Sequence, residues 1–204
     1  SLLYLDISNT KLLRICRKKG SLTNSGEEQR SYFIFLRSLK FLNISYNSIT
    51  TIRPFCFEGL VSITSLLVTG NKIKSIWENG FSGVKSLELL NLSSQSLELI
   101  KDYAFSNASK LAKLDLSRNN LRHLHKYTLS GIPMLNELYL HDNMLVYVSS
   151  ETFVHLQQLR VIVASSYRIC CLATDVESCT APPAMIYSSC THLIASNILR
   201  PLIW

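Results

Sequence analysis

Residues 135–158 read LNELYLHDNMLVYVSSETFVHLQQ, and residues 39–62 read LKFLNISYNSITTIRPFCFEGLVS. Counted from its first letter, each carries apolar residues at places 1, 4, 6, 11, 14, 19 and 22. The earlier set is Leu39, Leu42, Ile44, Ile49, Ile52, Phe57 and Leu60; the later is Leu135, Leu138, Leu140, Leu145, Val148, Phe153 and Leu156. The opening pattern L-x-x-L-x-L-x-x-N-x-L starts at Leu39, Ile63, Leu87, Leu111, Leu135 and Leu159, always 24 residues apart. A fixed period decides architecture ahead of local propensity. Places 4 and 6 alternate with their neighbours at period 2, which predicts a short strand with one face turned inward. A single unit cannot bury its apolar side alone, so the units stack and their strands lie side by side about 4.8 Å apart.

The expected fold is a leucine-rich repeat solenoid of the α/β class, curved, with a parallel concave sheet. Place 9 holds Asn47, Asn71, Asn119 and Asn143, with Gln95 one methylene longer and Tyr167 ending the series. There the chain turns off the strand, and a short amide can bond the freed backbone groups of its own turn and of the next. Place 19 holds Phe57, Phe81, Phe105, Leu129 and Phe153, read as an aromatic spine packed in the core. A 24-residue unit with this Phe resembles the typical extracellular class of these repeats, whose convex side is mostly irregular or 3₁₀. An earlier unit reads Leu2, Leu5, Ile7, Leu12 and Ile15, with Thr10 in the Asn place. From Leu2 to Leu39 the step is 37, or 24 plus 13. The extra residues fall between Cys16 and Ser38 and are expected to leave the convex side as a loop. About seven units result, spanning about 30 Å. The chain opens directly in a strand with no polar cap, which is expected of a fragment of a longer protein.

Composition agrees with a packed domain. Lys and Arg number 21 against 14 Asp and Glu, a net +7, with 47% apolar and 17% charged residues. Disorder, low complexity and collagen-like structure are excluded. The cations run from Lys11 to Arg200 with Arg17-Lys18-Lys19 as the one run, and are read as a solvated surface with no nucleic-acid partner.

Of the six cysteines, four (Cys170, Cys171, Cys179 and Cys190) crowd together just after the last repeat. Their even count suggests disulfides, and their spacing does not match a zinc site. Adjacent cysteines bond each other only with strain, so Cys170 and Cys171 each reach forward, one to Cys179 and one to Cys190. Cys16 and Cys56 lie on neighbouring units at offset places and either pair or remain buried thiols. N-x-S/T acceptors stand at Asn43, Asn91 and Asn107. The first two also fit a frequent repeat consensus, L-[ND]-L-S. The ending LIASNILRPLIW, residues 193–204, is about half the length of a membrane span, and reads as a capping helix or as the start of a transmembrane helix.

The repeats running into YRICCLATDVESC (167–179) and then YSSCTHLIASNILRPLIW (187–204) resemble the ectodomain of a leucine-rich-repeat-containing G-protein-coupled receptor. The short step from Cys171 to Cys179, with Tyr167-Arg168-x-Cys170 and Val176-x-Ser178-Cys179, is closest to the relaxin-receptor-like branch. The doubled cysteine and Cys190 are similar to other branches. The resemblance implies repeats over 1–169, a cysteine-rich hinge over 170–192, and the start of a first transmembrane helix over 193–204. It implies the pairs Cys170 with Cys179 and Cys171 with Cys190, and an activating segment from Ile186 to His192. Thr191 and His192 stand where hormone receptors carry acids, so an ionic trigger there is not implied. It further implies an extracellular segment at the plasma membrane, a peptide or protein hormone as partner, with relaxin-like peptides among the candidates, and a G protein reached through the transmembrane part.

Outward strand places 3, 5 and 7 expose Lys113, Asp115 and Ser117, then Glu137, Tyr139 and His141, then Val161, Val163 and Ser165. Neighbouring strands bring Asp115 beside Tyr139 and Glu137 beside Lys113. An acidic and aromatic patch next to valines suits a basic, amphipathic peptide, with Tyr139 as anchor and the carboxylates steering its approach. The plainer reading is a hydrated sheet face with Glu137 paired to Lys113. His123-x-His125 and His141 have no carboxylate or cysteine constellation at catalytic spacing, and no Gly-rich phosphate loop exists. No enzyme activity, cofactor or metal is expected. The alternative to a receptor is an adhesive or structural repeat protein that binds another protein.

Overall fold

The computed structural model describes residues 2–16, 31–173 and 176–181. The polar stretch of the insertion, Cys190, the segment Ile186–His192 and the apolar ending 193–204 lie outside the described residues. Along the chain the elements are β1 (Tyr4–Asp6), β2 (Phe41–Asn43), β3 (Thr51–Ile52), β4 (Ser65–Leu67), β5 (Ser75–Ile76), β6 (Leu89–Asn91) and β7 (Leu99–Ile100). They continue with β8 (Lys113–Asp115), β9 (His123–Leu124), β10 (Glu137–Tyr139), β11 (Tyr147–Val148), β12 (Val161–Val163), α1 (Tyr167–Leu172) and β13 (Ser178–Thr180).

Places 3 to 5 of the seven units form one parallel sheet, which β13 joins beyond the last of them, in the order β1-β2-β4-β6-β8-β10-β12-β13. Each strand pairs in register with its equivalent, Lys113 facing Glu137 and Glu137 facing Val161. The middle residue of each central strand (Leu42, Leu66, Leu90, Leu114, Leu138, Ile162) is fully buried, and its two neighbours are half-buried. The 2-residue alternation therefore delivers one inward and two outward side chains per turn. Each buried Leu or Ile contributes roughly 1.5–3 kcal/mol of transfer free energy, and the turns share a single core from Ile15 to Ala173.

The phenylalanine spine stacks ring on ring, Phe57 to Phe81 at 5.2 Å and Phe81 to Phe105 at 5.4 Å between centroids. Phe33 extends it, 6.2 Å from Phe57. Phe33 stands 24 residues before Phe57, so the period has already resumed there and the 13 extra residues fall between Cys16 and Phe33. Among the described residues the convex side is made of turns, without 3₁₀-helix. Left-handed backbone explains why: Phe55, Asn79 and Tyr103 at place 17, and Gly59, Gly83, Asn107 and Gly131 at place 21, all have positive φ and break any helical run. Between the ladder and the spine, places 13 and 14 form a second set of two-residue parallel strands, β3-β5-β7 and β9-β11.

The asparagine ladder stitches each turn to the one before it, where bonding toward the next was expected. Asn119 accepts the Leu97 N–H at 3.1 Å and donates to the Leu92 carbonyl at 3.0 Å, both one turn back, and to its own Leu116 carbonyl at 3.0 Å. Asn71 and Asn143 repeat the pattern, and Gln95 reaches Ile73 N–H and the Val68 carbonyl with its longer arm. Asn47 accepts both Thr10 and Leu12 N–H, tying the first unit to the second. Just before it, the place-8 residues (Asn9, Tyr46, Gly70, Ser94, Arg118 and Asp142) are all left-handed, which turns the chain off the strand. Ser166, the place-8 residue of the seventh unit, is extended instead, and α1 starts where the ladder ends.

Two disulfides close the ends of the described solenoid. Cys16 and Cys56 pair across the insertion, with Cα atoms 5.1 Å apart, which decides between the pair and two thiols. Cys170 pairs with Cys179, and β13 adds an eighth strand to the concave sheet, Ser178 opposite Val161 and Thr180 opposite Val163. Cys171 is buried and also disulfide-bonded; its expected partner, Cys190, lies outside the described residues. No helix among the described residues is long and apolar enough to cross a membrane.

Candidate functional site: the concave sheet face

The three strands β8, β10 and β12 carry the residues singled out by their outward places. Lys113 Nζ donates to Glu137 Oε2 at 2.7 Å and to the Tyr139 hydroxyl at 3.2 Å, and that hydroxyl donates to the same Glu137 oxygen at 2.9 Å. The ammonium also lies 4.8 Å from the centre of the Tyr139 ring. Hydrogen bonds from Lys113 and then Tyr139 hold the Glu137 carboxyl below its ordinary range, and the bonds that Lys113 donates to Glu137 and then Tyr139 hold its ammonium above its own. Glu137 is thus an ionised carboxylate whose charge is matched on the spot by Lys113.

Asp115 pairs with Tyr139 in the register, but its Oδ1 accepts the Ser117 N–H at 2.9 Å and the Ser117 hydroxyl at 2.6 Å. This closes an Asx-type turn at the end of the strand. Asp6, Asn43 and Asn91, at the same place, accept the N–H of Ser8, Ser45 and Ser93 in the same way. The repeated [DN]-x-S at places 5 and 7 was the available signal for this turn. His141 is half-buried and edge-on to Tyr139 at 6.3 Å, with a buried Nδ1 that has no hydrogen-bond partner. Val161 and Val163 stand half-buried opposite Glu137 and Tyr139. These seven residues therefore form one continuous patch, three strands wide.

Sequence reading stopped at the last three units and missed the other half of the face. Tyr4 and Phe41 stack in parallel at 4.4 Å at its first end, and Leu67 and Leu89 follow at outward places of the next strands. The rule of outward places 3 and 5 would have found them. The face as a whole is an open surface, suited to a macromolecular partner; small-molecule sites are concave and enclosing. A cleft of about 410 Å³ lies elsewhere, between the end of the sixth unit and the end of α1, lined by Phe153, Leu156, Leu159, Leu172 and Val176 among others.

Each acceptor asparagine has a structural place. Asn43 and Asn91 close the strand-end turns, and the Asn43 amide donates to Asp6 at 3.0 Å. Asn107 is exposed and takes the left-handed place that glycine holds in three other units. Among the described residues no imidazole is hydrogen-bonded to a hydroxyl, thiol or carboxylate, and no group of three or more His, Cys, Asp or Glu could hold a metal ion.

No curated protein matches the chain. Among solved structures, the fold is similar to "Structure of the Toll - Spatzle complex, a molecular hub in Drosophila development and innate immunity", at 20% identity and a TM-score of 0.57, covering 64% of this chain and 17% of that one. It is also similar to "Crystal structure of TLR13-ssRNA13 complex", at 24% identity and a TM-score of 0.51, covering 66% of this chain and 25% of that one. This chain spans a quarter or less of either, and at these identities the likeness is one of fold. The family described as "Leucine Rich Repeat" matches residues 38–60. The family described as "BspA type Leucine rich repeat region (6 copies)" matches residues 50–169, more than half of the 204 residues. With its 24-residue turns, asparagine ladder and parallel concave sheet, the chain belongs to this leucine-rich repeat family.

Proposed function

We propose that this chain is the extracellular ligand-binding part of a G-protein-coupled hormone receptor, taking a peptide or protein hormone on its concave face. The observation that carries the reading is the cysteine-locked end of the solenoid. Cys170–Cys179 ties helix α1 to β13, and β13 pairs directly with β12, the strand that bears Val161 and Val163. A ligand seated on those valines touches the strand to which the hinge is hydrogen-bonded through β13. Residues 170–192 act as the hinge, with Cys171 and Cys190 as its second pair and Ile186 to His192 as the activating segment. The ending 193–204 begins the first transmembrane helix.

Disulfides near both ends of the repeats support an extracellular setting, which we place at the plasma membrane. In that setting Asn107, exposed on the convex side, is the sequon most open to a glycan. The ligand contacts are Lys113, Asp115, Glu137, Tyr139, His141, Val161 and Val163, with the stacked Tyr4 and Phe41 as an apolar platform at the far end of the face. A relaxin-like, cationic peptide suits the carboxylate and tyrosine beside the valines. The experiment is to read the coding sequence on both sides of these 204 residues. Seven apolar stretches of about 20 residues after Trp204 support the receptor. A single stretch, or a stop codon, refutes it and leaves an adhesive protein that binds another protein.

A further inference from the structure

Read in chain order the cations look scattered, but folding on a 24-residue period sorts them by face. Places 10 to 15 of each unit form the flank between the ladder and the spine. Their strand residues at place 14, among them Ile52, Ile76, Ile100 and Leu124, are buried, so places 13 and 15 face outward. This flank carries Lys11 and Arg14 in the first unit and Arg53 in the second. Lys72 and Lys74 in the third, Lys101 in the fourth and Arg122 in the fifth continue it. Glu98 is the only carboxylate within those places, seven cations to one acid. At its border, place 16, stand Glu78 and Asp102, the latter half-buried with Oδ1 turned from solvent.

Four cations elsewhere are tied to carboxylates. Among the described residues the ion pairs are Lys113–Glu137, Arg118–Asp142, Lys126–Glu151 and Arg160–Glu177, and none uses a flank cation. The flank cations are exposed except Arg53, which is half-buried. They ride on backbone locked turn to turn, Lys74 N–H to Thr50 O and Lys101 N–H to Ile76 O at 2.9 Å each. Flat rings lie among them: Trp77 is 47% exposed, and His123, His125 and Tyr147 sit together with centroids 6.0–6.5 Å apart.

We propose that this flank is a binding site for an extended sulfated polysaccharide laid along the solenoid axis. Positive charge repeats from turn to turn, at about 4.8 Å per turn, so a linear polyanion can meet one or two cations on each turn it crosses. The rings offer sugar faces a stacking surface. The disulfides set the chain in an oxidising compartment, where sulfated polysaccharides are the prevalent linear polyanion. The flank is separate from the concave sheet, so polysaccharide and a concave-face ligand can bind together, and the proposal stands whatever that ligand is.

The test uses the whole 204-residue chain, immobilised heparin, and single-stranded oligo-dT as the competing polyanion, at about 0.15 M salt. The variant Lys72→Glu, Lys74→Glu, Lys101→Glu, Arg122→Glu should lose at least about tenfold in heparin affinity, and the salt slope should fall by about two to three. Its glutamine counterpart should show an intermediate loss. The convex-side control Lys85→Glu, Lys110→Glu should stay within about twofold of the parent. Trp77→Ala should weaken binding several-fold with the salt slope unchanged. Equal losses in flank and control variants, or none in either, overturn the site. Tighter flank-dependent binding of oligo-dT than of heparin at equal salt overturns the polysaccharide and puts nucleic acid in its place.

Discussion

Asn119→Ala tests the ladder at the centre of the solenoid. The side chain is 4% exposed and makes four bonds: it accepts the Leu97 N–H and donates to the carbonyls of Leu92, Leu116 and Ser117. Two of these partners survive its loss. The Leu116 carbonyl still accepts from Asn143, and the Ser117 carbonyl from Ser94 N–H. The Leu97 N–H and the Leu92 carbonyl are left buried without a partner, at about 1–3 kcal/mol each. The expected destabilisation is therefore about 4 kcal/mol, a large part of the stability of an ordinary domain. In urea unfolding followed by circular dichroism with disulfides intact, the midpoint should fall by about 1.5 M for a slope near the upper end of the usual range. Asn119→Asp keeps the acceptor for Leu97 but turns a charged oxygen toward three carbonyls, so it should cost at least as much at neutral pH. A midpoint shift below about 0.3 M for the alanine variant would mean that the ladder decorates the turns without holding them together.

Cys16→Ala with Cys56→Ala opens a loop of sequence separation 40 and should cost about 4 kcal/mol, read as a drop in melting temperature without reducing agent; reductant should lower the parent chain further, because it also opens Cys170–Cys179. Phe105→Ala removes a ring in contact with Phe81 at 5.4 Å and should cost about 3–5 kcal/mol; Phe105→Leu, the residue type of place 19 in the next unit, should cost much less. The Lys113–Glu137 pair predicts a shallow pH plateau. Glu137 is lowered from its ordinary 4.5, so its contribution is complete above that value and is lost as pH falls through the folded value. Lys113 is raised from 10.5, so its share is complete below that and is lost as pH rises further. Both side chains are more than a third exposed, so Glu137→Gln should lower the melting temperature by only about 1–2 °C at neutral pH, with the gap closing in acid. Asp115→Asn with Glu137→Gln keeps the turn acceptor and should weaken binding of a cationic peptide hormone in a direct titration; unchanged affinity removes both residues from the contact surface.

The fold was legible because one interval repeats. Leu39 to Leu159 in equal steps states the pitch of the solenoid, and the alternation at places 4 and 6 states which side chains point in. What escaped the period is what breaks it. Phe33 is in phase with Phe57, yet the insertion after Cys16 hides it unless one counts backward from Leu39. The Cys16–Cys56 pair looked offset, places 15 and 18, because place numbers lose meaning once 13 residues intervene and Ser31 returns beside Cys16 in an antiparallel bridge. The eighth strand, Ser178–Thr180, obeys no repeat pattern: it joins the sheet beside β12 while its central residue is fastened to Cys170.

For the surfaces, the period says where a side chain points and not what it does there. Lys113 beside Glu137 and Asp115 beside Tyr139 follow from register alone, but whether a carboxylate is free to meet a ligand depends on its hydrogen bonds. Glu137 is closed into a neutral node with Lys113 and Tyr139, one oxygen of Asp115 is committed to Ser117, and both oxygens of Asp6 accept hydrogen bonds, from Ser8 and Asn43, so steering charge on this face falls to the other Asp115 oxygen. Anchoring then rests on Tyr139, the valines and the Tyr4–Phe41 stack, a mainly apolar contact that tolerates salt. The cationic flank has the opposite character. Its residues are distant in sequence, Lys11 to Arg122, and become neighbours only because places 10 to 15 recur on the same side of every turn. High salt should therefore separate the two faces, releasing a polyanion from the flank while leaving a concave-face ligand bound.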